Sequence, residues 1–118
     1  SNGGNRQMDT LIKLDQVIES VLQQTADTLS VHENGNSQII IDADRKNFVL
    51  IMLGWEGHRR IHDCLVHIQM IDDKIWIQHD GIEDSITENL EAAGIPKNQI
   101  VLAFYPEHVR VHTGYAIA

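Results

Sequence analysis

The stretch from Asn47 to Ile77 constrains the fold of this chain more than any other. It consists of runs of β-branched and aromatic residues that are separated by short clusters of Gly, Asp and Asn. Such runs suit a pleated, half-buried surface, and the polar clusters between them suit turns. The stretch therefore predicts a meander of antiparallel strands, against which the rest of the chain packs.

The second strand of this meander, from Asn47 to Trp55, is apolar on both faces. One face carries Phe48, Leu50 and Met52, and the other carries Val49, Ile51, Leu53 and Trp55. A strand that is hydrophobic on both sides is central in its sheet, and its second face must be covered by a helix or by another subunit. This pattern is a first indication that the chain forms a homo-oligomer.

The third strand alternates more regularly between apolar and polar residues. The face predicted to be core carries His62, Cys64, Val66, Ile68 and Met70. The opposite face, from Ile61 to Ile71, is mixed in polarity. Asp72 and Asp73 then make a tight turn into a fourth strand over 74–78, because Asp is common in turns.

A helix is predicted ahead of the meander, over about residues 9–28, followed by a short first strand at 38–41. The apolar residues of this helix recur at three- and four-residue spacing. They are Leu11, Leu14, Ile18, Val21, Leu22, Thr25 and Leu29, and the polar residues Lys13, Asp15, Glu19, Gln23 and Asp27 are predicted to face solvent. Residues 1–7 lack apolar content and are interpreted as a tag or disordered leader, so that 8–118 form a single domain.

A second helix is predicted after strand four. It begins at Asp84 or Ser85 in a capping box with Glu88, and it ends at Gly94 ahead of Pro96. Its buried stripe consists of Ile82, Ile86, Leu90 and Ala93. The apolar run 100–104 predicts one more strand. The predicted fold is α+β, with an antiparallel meander of about four to five strands, an N-terminal helix and a second helix after strand four.

The charge and cysteine content exclude several classes of protein. Nine Lys and Arg stand against 17 Asp and Glu, a formal charge of −8. Because a duplex presents a dense phosphate charge, direct DNA binding by this chain alone is disfavoured, and a basic protein partner suits it better. The single cysteine rules out an internal disulfide, and no apolar run reaches the about 18 residues that span a bilayer. We expect a cytoplasmic protein without membrane contacts.

Seven histidines suggest a metal site, because neutral imidazole is the commonest metal ligand. His108 and His112 have the spacing of two ligands on one helical face, but no Cys or Glu stands at the companion spacing of a zinc site. Pro106 and Gly114 also bracket them. The corner around His58 has the same weakness. A small metal-dependent enzyme using these histidines is the alternative function, and we expect no metal or cofactor.

The other reactive residues have structural explanations. Cys64 lies on the predicted core face, where it packs as a small apolar residue instead of acting as a nucleophile. The carboxylate pairs Asp42 with Asp44 and Asp72 with Asp73 lie in turns. The chain also lacks a nucleophile elbow and a phosphate-binding glycine loop. The sequence therefore predicts that the protein is not an enzyme.

Aromatic and basic residues near the C-terminus predict a protein-binding surface. Trp, Tyr and Arg are enriched at the energetic centres of interfaces. The predicted surface consists of Trp76, Tyr105, His108, Arg110 and Tyr115. In the alternative interpretation, Arg110 pairs with a carboxylate and the aromatic side chains close the core.

Motifs spread over residues 8–118 resemble those of the XisI family. They include Leu53-Gly54-Trp55, Asp73-Lys74-Ile75-Trp76-Ile77-Gln78, Ala93-Gly94-Ile95-Pro96-Lys97 and Thr113-Gly114-Tyr115-Ala116-Ile117-Ala118. Members of that family are cyanobacterial proteins named as controlling factors for excision of the fdxN element. The resemblance implies an accessory role in programmed DNA rearrangement during heterocyst differentiation, beside a recombinase and a companion protein, XisH, that is similar to nuclease-fold proteins.

The resemblance supplies no catalytic residues. It implies a non-enzymatic controlling factor that binds a XisH-like protein, which agrees with the acidic charge and the predicted surface. An acidic inhibitor, in the manner of an antitoxin, is one form that this role can take.

Overall fold

Five strands and three α-helices make up the part of the chain that the structure describes. This computed structural model describes residues 2–32, 35–83 and 85–118, with side chains at 14–29, 36–83 and 85–118. The elements are α1 (Asn2–His32), β1 (Gly35–Ile41), β2 (Asn47–Glu56), β3 (Arg59–Ile71), β4 (Lys74–Asp80), α2 (Ile86–Ala92), β5 (Ile100–Leu102) and α3 (Glu107–Arg110). Within those ranges no helix combines the length and the apolar character needed to cross a membrane.

The strands form one sheet in the order β1-β2-β3-β4-β5. The first four are antiparallel to their neighbours, whereas β5 runs parallel to β4. Parallel neighbours need a crossover connection, and α2 lies in the connection from β4 to β5. The predicted α+β fold, with its meander and its second helix after strand four, is confirmed.

Helices α1 and α2 pack on one face of the sheet, which we call the helix face. One continuous core joins α1, the sheet and α2, and its fully buried members include Ile18, Leu22, Phe48, Leu50, Val66, Ile68, Ile75, Ile77, Ile86 and Leu90. The predicted α1 stripe is confirmed from Leu14 to Leu29, and Leu11 lies outside the described side chains. Thr25 belongs to the stripe because its hydroxyl donates to the carbonyl of Val21 at 2.8 Å.

The polar face of α1 is more than a solvated surface. Asp15 and Glu19, which were predicted to face solvent, accept hydrogen bonds from the guanidinium of Arg45 in the β1–β2 turn. These bonds raise the pKa of Arg45. The helix extends beyond the predicted 9–28 at both ends, and the assignment of 1–7 to a tag stays a prediction.

The predicted start of α2 is confirmed at Ser85. Its hydroxyl accepts from the amide of Thr87 at 3.3 Å, rather than from the amide of Glu88 as a capping box would have it. The carboxylate of Asp80 caps the same helix end by accepting a second amide. The other predicted cap, Asp84, lies outside the described residues.

The predicted end of α2 is also confirmed. Gly94 has a φ of +102°, and the amide of Ile95 donates to the carbonyl of Leu90 at 3.1 Å. This is the Schellman arrangement, in which a left-handed residue closes the helix. Ala93 was predicted to be buried and is exposed, because the helix has already ended at that position.

A β-bulge in β3 makes the predicted faces of its first half wrong. The register with β2 shifts, and Leu65 is the extra residue. Since one inserted residue moves all earlier side chains to the other face, Cys64 and His62 point away from the helix face that Val66 occupies. Cys64, which was predicted to be core, is exposed.

Candidate functional site

The C-terminal segment, residues 103–118, covers part of β4 and β5 on the second face of the sheet, and its end lies along the edge of β5, where Ala116 forms a bridge with Val101. Trp76 points to this face, because its neighbours Ile75 and Ile77 are in the core on the helix face. The guanidinium carbon of Arg110 lies 5.5 Å from the centre of the Trp76 ring. Val101, which pairs with Trp76, is fully buried. The segment therefore covers this part of the second face.

Arg110 holds both ends of the segment together. Its Nε donates to the carbonyl of Tyr105 at 2.9 Å, and a terminal nitrogen donates to the carbonyl of Ile117 at 3.0 Å. The same guanidinium stacks on Trp76 in a cation–π contact. Arg110 thus binds carbonyl oxygens, and the alternative prediction of a carboxylate partner is not what the structure shows. Arg110 therefore positions the segment 103–118.

Tyr115 faces α2 instead of the exposed surface. Its hydroxyl donates to the carboxylate of Glu91 at 2.9 Å, and the ammonium of Lys97 lies 5.5 Å from the ring centre. The ring packs against the hydrophobic core. Partial burial, together with the nearby carboxylates, raises the pKa of the phenol. Tyr115 anchors the segment to the domain.

Four apolar side chains of the segment 103–118 are exposed. They are Phe104, Tyr105, Val111 and Ile117, each between 41% and 53% exposed, and we call them the tail patch. The rings of Phe104 and Tyr105 contact each other with centroids 4.6 Å apart. Exposed apolar groups that cluster in this way mark surfaces for other molecules.

The structure brings together part of the predicted surface. Trp76, Tyr105 and Arg110 are joined through the contacts of the guanidinium, His108 is exposed on α3, and Tyr115 is half-buried against α2. The other three members of the tail patch were missed. Phe104 was assigned to a strand over 100–104, but β5 ends at Leu102, and no period-2 pattern marks that boundary.

The histidines whose side chains the structure describes do not assemble into a cluster of metal ligands. His108 lies on α3, which ends at Arg110, so His112 is outside the helix that was to place both on one face. Among the described residues, no group of three or more His, Cys, Asp or Glu is placed to hold a metal ion. Cys64 lies at the surface, but its thiol is partly desolvated by its neighbours, which raises the pKa of the thiol and lowers its thiolate fraction. The alternative function gains no support from these positions.

Comparisons with known proteins agree with the sequence motifs. The model of the XisI protein family matches residues 8–117. A XisI-like protein from Anabaena variabilis has a similar structure, with 29% identity, a TM-score of 0.81 and coverage of 92% of this chain and 99% of the other. The fdxN element excision controlling factor XisI from the same species has 28% identity, a TM-score of 0.75 and coverage of 92% and 98%. No curated protein matches. Because the family model spans nearly the whole domain, the chain belongs to the XisI family.

Proposed function

We propose that this chain is a non-enzymatic controlling factor for the programmed excision of a DNA element, and that it acts by binding a XisH-like partner. The excision role follows the name of the similar Anabaena protein. The observation that carries the contact is the tail patch, an exposed apolar surface held in place by Arg110. We place this action in the cytoplasm, where the DNA is.

The aromatic composition and the ordered structure of the tail patch suit contact with another protein. Phe104 and Tyr105 offer paired rings, and large aromatic side chains supply contact area at a low cost in conformational entropy. Arg110 is already fixed by two hydrogen bonds and by Trp76, so the surface is ordered before a partner arrives. A preordered surface loses less entropy on binding.

The charge of the chain favours a basic partner. At −8, the protein repels duplex DNA and attracts proteins that carry DNA-binding cations. A nuclease-fold protein of the XisH type needs such cations in order to bind its substrate. An acidic subunit that covers these cations controls the partner's access to DNA without catalysing a reaction itself. We propose that the chain inhibits its partner in this way.

Co-expression of the chain with a XisH-like protein tests the proposal. Size-exclusion chromatography with light scattering is expected to show co-elution at a defined ratio, and the partner's nuclease activity is then measured with and without this chain. Separate elution at both low and moderate salt would contradict the proposal.

A substitution within the tail patch tests the site. Tyr105→Ala removes an exposed ring and leaves the core intact, so we expect at least a tenfold loss of affinity, which corresponds to about 1.4 kcal/mol. The matched control is Trp55→Ala, which removes an exposed ring from the β2–β3 hairpin. If both variants bind like the parent chain, the tail patch is not the interface.

A further inference from the structure

On the second face of the sheet, strands β1 to β3 have an apolar centre among polar side chains that include His62, His67 and Gln69. On this face the segment 103–118 contacts Trp76 of β4, whereas α1 packs on β1 and β2 from the helix face. The apolar residues of this surface are Ile40, Val49, Ile51, Leu53, Trp55 and Ile71, and we call it the open face. Trp55 is 60% exposed and Ile40 is 51% exposed. Because β2 is apolar on both faces, its second face must be covered. The described part of this chain does not supply that cover.

The open face carries no carboxylate from strands β1 to β4. Asp63 pairs with the buried Met52, and Asp80 pairs with the buried Val66, so both acids lie on the helix face. Glu56 follows Trp55 in β2 and also points to that side. In a chain with 17 acidic residues, this is a surface on which two copies can meet without bringing like charges together.

The β2–β3 hairpin carries an excess of positive charge and the β3–β4 turn an excess of negative charge, while the two Asp, one Arg and one Lys of the β1–β2 turn cancel. At the β2–β3 hairpin, Arg59 pairs with Glu56 at 2.9 Å, while Arg60 stacks on Trp55 at 5.4 Å. At the other end of β3, the turn into β4 consists of two aspartates. A twofold axis that runs across the strands places the Arg60 end of each copy beside the acidic turn of the other. The surface is therefore complementary to itself, as an isologous interface requires.

The area agrees with a reversible dimer. From the usual strand spacing and rise, three strands of this length present a surface of roughly 14 by 30 Å, and two copies bury on the order of 1,000 Å². Specific interfaces begin near this size.

We propose that the open face is the interface of a homodimer, in which the sheets of two copies pack face to face about a twofold axis across the strands. The side chains of Val49, Ile51 and Leu53 form its centre, and Trp55 with Arg60 closes each end. This surface is separate from the tail patch, so the dimer and the partner contact can form independently of each other.

Sedimentation velocity across a concentration series tests the dimer. The parent chain is expected to shift from 13.4 kDa to twice that mass as its concentration rises. Ile51→Glu places a charge at the centre of the interface and is expected to remain monomeric throughout the series. The matched control is Gln24→Glu on the exposed side of α1, which adds the same charge and is expected to dimerise like the parent.

Further variants keep the test decisive. Trp55 is exposed in the monomer, so Trp55→Ser is expected to leave the fold intact and to weaken the dimer at least tenfold. It replaces Ile51→Glu if circular dichroism shows that the Ile51→Glu variant is unfolded. Arg60→Glu is expected to weaken the dimer, and adding Asp72→Arg is expected to restore it. A parent chain that stays monomeric, or a dimer that survives both apolar variants, overturns the proposal.

The outcomes also separate the two proposals. A parent chain that is monomeric, and that loses its XisH-like partner when Ile51 becomes Glu, shows that the open face belongs to the partner, which overturns the homodimer. Tyr105→Ala is expected to dimerise normally, because the tail patch lies outside this interface. Failure of the partner experiment alone leaves the dimer result unaffected.

Discussion

The turn between β3 and β4 contains two strained residues. Asp72 and Asp73 have φ values of +50° and +62°, the left-handed region that side chains disfavour. Positive φ at both central residues defines a type I′ turn, for which Asn-Gly and Asp-Gly are the preferred sequences. The twist of this turn matches that of the flanking strands. Two adjacent aspartates adopt it at a cost in stability, because each has a Cβ at positive φ.

Replacing Asp73 with Gly is expected to stabilise the protein by about 0.5–1 kcal/mol, because Gly adopts positive φ without steric strain. The free energy of unfolding, measured by urea denaturation, checks this. Asp73→Ala is the matched control, since it also removes the charge but keeps a Cβ. It is expected to be less stable than the glycine variant. Equal stability of the two variants would show that charge repulsion, and not backbone strain, is the main cost at this turn.

At the scale of elements, the sequence predicted what depends on periodicity and on capping. The α1 stripe and the closure of α2 at Gly94 follow from spacing and from one left-handed residue, and both are confirmed. The faces of β3 were assigned wrongly before Val66, because period-2 alternation contains no mark for the extra residue Leu65. The same limit moved Cys64 from a predicted core position to the surface.

The candidate site was predicted by composition and not by geometry. Composition selected Trp76, Tyr105 and Arg110, which the structure joins. It could not predict that the guanidinium binds carbonyls, since these contacts depend on how the segment 103–118 folds back on itself. It also assigned Tyr115 to the exposed surface, whereas the hydroxyl bonds to Glu91 on α2.

Arg110 joins the two ends of the segment 103–118, beside the Tyr115–Glu91 hydrogen bond and the backbone hydrogen bonds of Ala116. Arg110→Ala removes two hydrogen bonds and the stacking on Trp76, so we expect faster amide exchange across the segment and unchanged exchange in α1 and β2. Arg110→Lys keeps the charge but lacks the planar guanidinium and its fork of donors, and we expect it to rescue little of the protection. Full protection in the alanine variant would show that other contacts close the segment.

On the scale of the whole molecule, the two faces of the sheet have different roles. The helix face is buried under α1 and α2 and supplies the stability of the domain. The second face carries the tail patch over β4 and β5, and the open face over β1 to β3. We therefore expect one assembly in which a central dimer presents two tail patches, each available to a separate partner.

The net charge of the whole chain leads to the last prediction. At −8, the chain alone is expected to show no measurable affinity for duplex DNA at low salt. Fluorescence anisotropy of a labelled duplex checks this, with a complex of the chain and a XisH-like protein measured beside it. Any binding by the complex then belongs to the partner. If the chain alone binds and the affinity falls steeply with salt, it contacts phosphates itself, and a DNA-binding role would replace the one proposed here.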